Sequence, residues 1–91
     1  MLFRSNRGFA KSKLGQQQAA MVDFDRAIAL DPELAIAYTN RGREKFQSGQ
    51  KQSAMTDFDR AIALDPNDPI SYYNRGLAKS ELGQIQSAIV D

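Results

Sequence analysis

The sequence contains no cysteine and no histidine. Disulfides, thiolate chemistry, Cys/His zinc sites and imidazole acid–base catalysis are therefore excluded within these residues. Apolar runs are only a few residues long, far short of the roughly 20 residues that a membrane-spanning helix needs. Net charge is almost absent: twelve basic and eleven acidic residues are interspersed and leave +1. That balance offers no electrostatic footprint for nucleic acid and no basic amphipathic face for a membrane surface. Met1-Leu2-Phe3-Arg4 is too short, and too polar downstream, for a secretory signal, so a cytoplasmic setting is the default expectation. No nucleophile–base pair or phosphate-binding glycine loop is present, and acids such as Asp23, Asp25 and Asp31 read as solvated carboxylates or caps. An enzyme is not expected, nor a cofactor, a metal site or any catalytic residue.

What the chain does have is repetition. The string Asp-Phe-Asp-Arg-Ala-Ile-Ala-Leu-Asp-Pro runs from Asp23 to Pro32 and again from Asp57 to Pro66, an interval of 34 residues. Asn-Arg-Gly returns on the same step, at Asn6, Asn40 and Asn74. A period of this size marks units that bury their apolar faces only against their neighbours, which builds extended surfaces rather than deep clefts. With 91 residues, 42% apolar and 25% charged, the chain reads as one folded domain of about 2.7 units. The units are 1–34, 35–68 and a shorter third at 69–91.

Each unit reads as two helices. The first copy runs from Leu2 to about Leu14, breaks at Gly15 and resumes from Gln17 to Leu30. The second runs from about Ala35 to Ser48, breaks at Gly49 and resumes to Leu64. The third starts at Pro69, breaks at Gly83 and stops at Asp91. Glycine closes the last turn of a helix well, and Pro32 and Pro66 end the second helices. Asp68-Pro69 is a restart signal, an N-cap carboxylate before proline at the first helical position. Ala20, Phe24, Ala27 and Ile28, like Ala54, Phe58, Ala61 and Ile62, form an apolar stripe at helical spacing. Gly8, Gly42 and Gly76 leave room for the paired, antiparallel helices to approach.

This arrangement resembles the tetratricopeptide repeat family. The family's small positions fall on Gly8, Ala20 and Ala27, its turn glycine on Gly15, its large apolar residue on Phe24 and its terminal proline on Pro32. The second copy supplies Gly42, Gly49, Ala54, Phe58, Ala61 and Pro66, and the third Gly76, Gly83 and Ala88. Two departures stand out. Arg7, Arg41 and Arg75 replace the apolar residue before the motif glycine, and Lys11, Lys45 and Lys79 replace the tyrosine three residues after it. Asp23, Asp57 and Asp91 recur in step, so either an Arg–Asp pair forms within each unit or these are solvated charges of little worth.

The resemblance implies an all-α solenoid of antiparallel helix–turn–helix repeats, wound as a right-handed superhelix, whose first helices line a concave peptide-binding groove. In this register the groove positions are Leu2, Ile36 and Ile70, then Ser5, Thr39 and Tyr73, then Asn6, Asn40 and Asn74. Phe9, Arg43 and Leu77 follow one turn on. Side-chain amides offer two donors and an acceptor, enough to grip a peptide unit without reading its side chain. The alternative is that these amides tie neighbouring helices together or are hydrated. The family's carboxylate clamp for chaperone C-terminal tails is disfavoured, because its cationic positions hold Ser5, Ile70 and Asn74, its first asparagine is Phe9, and only Asn40 remains.

The implied function is a protein–protein interaction scaffold for a peptide or partner helix, with no nucleic-acid or membrane partner. The alternative is a self-assembling unit. The third unit ends before its phenylalanine, isoleucine and leucine, and neither end has a polar cap, so the chain is expected to be a piece of a longer array or a homo-oligomer. Two copies would meet end to end or exchange helices by opening the turn at Gly83 or Gly49.

Overall fold

A computed structural model describes the backbone of residues 6–90 and the side chains of residues 15–84. It contains four helices, α1 (Asn6–Leu30), α2 (Ala35–Gln47), α3 (Lys51–Leu64) and α4 (Pro69–Val90), and no strand among the described residues. Each helix packs on the next, and α2 also touches α4. The result is a flat layer, 46 × 44 × 19 Å, about two helix diameters thick. Its radius of gyration of 15.4 Å exceeds the roughly 12 Å of a compact chain this long, as expected where units touch only their neighbours.

The central unit closes as the sequence predicts. Gly49 adopts φ +90°, a left-handed conformation open to glycine. The Gln50 amide donates to Lys45 O at 2.8 Å and the Gly49 amide to Phe46 O at 3.2 Å, which satisfies the last carbonyls of α2. Ser48 strengthens this corner: its hydroxyl donates to Lys45 O at 3.0 Å and accepts from the side-chain Nε2 of Gln50 at 3.2 Å.

The breaks expected at Gly15 and Gly83 are not there. Helix α1 passes through Gly15 and α4 through Gly83 without interruption. Both glycines follow leucine, at Leu14 and Leu82, where the central corner has Ser48. Leucine is a strong helix former and has no hydroxyl to hold a corner, so helix continuation wins at those two places.

The other boundaries follow their signals. The Asp31 and Asp65 amides donate to Ala27 O and Ala61 O, ending α1 and α3 just before proline. At the start of α4, Asp68 Oδ1 accepts from the Ile70 amide at 3.0 Å and Oδ2 from the Ser71 hydroxyl at 2.9 Å. Helix α2 begins after Leu34 with no side-chain cap.

The core is small and built on close approach. Ala54, Phe58 and Ala78 form its centre, with Phe46 and Met55 against them. Phe58 lies on Gly42: a methyl at that glycine would come 2.6 Å from Phe58 Cε1. Beside it, Arg41 donates from Nε and a terminal nitrogen to the two oxygens of Asp57, 2.9 Å each, and Lys45 Nζ stands 3.1 Å from the same carboxylate. The hydrogen bond that Arg41 donates to Asp57 is the largest influence on its guanidinium and raises its pKa further, against the opposing cost of burial. The Arg–Asp pair is thus present in the central unit. Its counterparts at Arg7 and Asp91 lie outside the described side chains.

Candidate functional site

Helices α2 and α4 carry the groove positions of the second and third units. Ile36, Ile70, Tyr73 and Leu77 are exposed apolar groups along them, and Arg43 is exposed between. Asn40 and Asn74 are half-buried. Thr39 differs from its expected place. It is 1% exposed, and its hydroxyl shares a 2.8 Å hydrogen bond with Ser71 on α4. It faces the neighbouring helix, so it ties α2 to α4 and has no surface to offer a ligand. Leu2 and Ser5 lie outside the described residues, as do the side chains of Asn6 and Phe9.

Two depressions repeat one another along this face. The first, about 130 Å³, is lined by Phe24, Asn40, Arg43, Glu44 and Gln47. The second, about 200 Å³, is lined by Phe58, Asn74 and Leu77 with Arg43, Phe46 and Gln47. Phe24, Asn40 and Arg43 become Phe58, Asn74 and Leu77 at the 34-residue step, so each hollow pairs a phenylalanine with an amide. Arg43 and Gln47 border both. The Nδ2 of Asn74 and Oε1 of Glu44 are buried and make no hydrogen bond within the protein. Shape and chemistry both suit a chain that brings its own polar groups.

Sequence reasoning missed part of this lining. Phe24 and Phe58 read as core, and Glu44 and Gln47 were not marked. Their spacing carried the signal, since Glu44 and Gln47 follow Asn40 by four and seven residues on one helix face. Glu44 also borders two hollows between α1 and α2, of about 210 and 270 Å³, rimmed by Gln16, Gln17, Gln18, Gln47 and Gln50. Among the described residues no group of His, Cys, Asp and Glu could hold a metal ion. Among the described residues, too, no helix is long and apolar enough to cross a membrane.

Family patterns settle the relationship. The pattern described as tetratricopeptide repeat matches residues 4–34, and that described as TPR repeat matches residues 42–83. The chain belongs to the tetratricopeptide repeat family. It matches no curated protein. Tetratricopeptide repeats are non-catalytic units that mediate protein–protein interaction, and the second match covers the end of α2, all of α3 and most of α4, where both depressions have walls. In this tetratricopeptide repeat chain α2 and α3 form a closely packed pair joined at Gly49, whereas α1 and α4 each continue as a single helix.

Proposed function

We propose that this chain binds an extended peptide segment of a partner protein across the two depressions, with Asn40 and Asn74 holding its backbone. The observation that carries this reading is the recurrence of one hollow at the repeat interval, combined with the unpartnered amide of Asn74 in the second. Neighbouring helices pack roughly 8–10 Å apart and an extended chain advances about 3.3–3.6 Å per residue, so successive rungs would meet about every third residue. Arg43 sets the charge of the shared wall, and Ile36, Ile70, Tyr73 and Leu77 give the segment apolar contact.

Selection from a synthetic peptide library, followed by fluorescence anisotropy on the peptides recovered, tests this. Changing Asn40 and Asn74 together to alanine should weaken binding about tenfold, the loss of one or two net hydrogen bonds, with helicity unchanged. Equal binding by both proteins would move the site elsewhere.

A second reading, in which the main partner is another copy of the chain, has support of its own. Gly42 is covered by Phe58, while nothing lies within 4 Å of a methyl placed on its counterpart Gly76.

A further inference from the structure

The closed pair α2–α3 is a template for a contact that the outer helices leave unmade. On α2, Gly42 seats Phe58, and Arg41 and Lys45 hold Asp57. Helix α4 repeats these groups as Gly76, Arg75 and Lys79, and α1 repeats the other side as Phe24 and Asp23. Among the described residues neither half finds its partner. Gly76 is exposed with open space around it, and Lys79 is exposed where Lys45 is not. Phe24, Ala20 and Ala27 are half-buried where Phe58, Ala54 and Ala61 are buried, and Asp23 is exposed where Asp57 is buried.

The straight course of α4 through Gly83 is what leaves its face uncovered, because a corner there would return the helix onto Gly76. The straight course of α1 through Gly15 likewise leaves the Phe24 face without the first half of its own repeat.

We propose that a second copy of this chain covers the face of α4 with residues 17–30 of its α1, antiparallel, as α3 covers α2. Phe24 of one copy then sits on Gly76 of the other, and Asp23 lies between Arg75 and Lys79. The segment that would dock carries the same ten residues that already make this contact within the chain, from Asp23 to Pro32 as from Asp57 to Pro66. Charge agrees as well: two cations on the α4 face meet one carboxylate, as in the template. Arg75 already holds Asp59 at 2.9 Å, as Arg41 holds Asp25, so its guanidinium is oriented to take a second carboxylate. One difference loosens the new pair. Ser80 stands where Phe46 packs in the template, so the contact is weaker than the internal one and depends on concentration. Because the two faces differ and every copy has both, the same contact closes two copies on each other or runs on head to tail.

This rests on the self-association reading, and the test separates the two. Sedimentation of the native chain from micromolar to millimolar concentration should show mass rising above that of one chain. Gly76→Leu meets only open space within a chain but strikes Phe24 of a second copy. It should therefore stay at single-chain mass where the native protein is assembled, with unchanged helical circular dichroism. Asp23→Arg and Arg75→Asp should each also stay at single-chain mass, and an equimolar mixture should recover assembly, since every contact between the two variants is matched. A native chain that keeps single-chain mass throughout removes the self-association reading. A native chain that assembles while Gly76→Leu assembles equally, or variants that fail to recover on mixing, overturns this pairing alone.

Discussion

Arg41 spans three helices: from α2 it grips both oxygens of Asp57 on α3 and reaches Asp25 on α1 at 2.8 Å. The two carboxylates are not equivalent. Asp57 has 4% of its side chain exposed and Asp25 has 59%. Removing a partner from a buried ion pair costs about 3 kcal/mol or more, whereas exposed pairs are worth about 0.2–1 kcal/mol. Asp57→Ala should thus lower the free energy of unfolding by about 3 kcal/mol and Asp25→Ala by under about 1 kcal/mol. Urea denaturation of the two variants measures the ratio directly.

Equal substitutions at the repeat glycines should have opposite signs. Gly49→Ala places a Cβ at φ +90° and should cost about 1 kcal/mol or more. Gly83→Ala falls inside a continuous helix with open space around it and should add up to about 1 kcal/mol. Thermal melts of both decide it. A Gly83→Ala variant as damaged as Gly49→Ala would mean that α4 turns a corner there in solution.

Gly42→Ala tests the close approach of α2 and α3. The added methyl meets the Phe58 ring at 2.6 and 2.8 Å, with Asp57 Cβ at 3.2 Å, so the ring must shift. Overpacking of this kind costs about 1–3 kcal/mol, more than the helix propensity gained. Destabilisation should appear in the same melts, and a stabilised variant would contradict the packing.

The buried hydroxyl pair should show coupling. Thr39→Val leaves Ser71 bonded to Asp68, and should cost about 1 kcal/mol. Ser71→Ala loses both bonds and should cost more. The double variant should cost less than the two single costs together, because the shared bond is lost only once, and a double-mutant cycle reads the difference.

The central unit was legible because several local signals agreed there. Asp68-Pro69 starts a helix whatever surrounds it, and Gly49 has Ser48 before it to hold the corner. Gly15 and Gly83 misled because glycine permits a left-handed turn without requiring one, and the neighbouring leucines favour going on. That Asn40 and Asn74 line matching hollows follows from their recurrence at the repeat interval. The place of Thr39 was not legible, since its burial depends on a hydroxyl partner 32 residues away. Glu44 and Gln47 went unmarked because they do not recur with the repeat.

A body only 19 Å through has consequences for how the proposed peptide would come and go. Among the described residues nothing folds over the hollows beside Asn40 and Asn74, so the proposed peptide would meet no gate on arrival or departure. For the peptide proposed above, residence would then be governed by the strength of the grip, and the exchange of one peptide for another would need no rearrangement of the host.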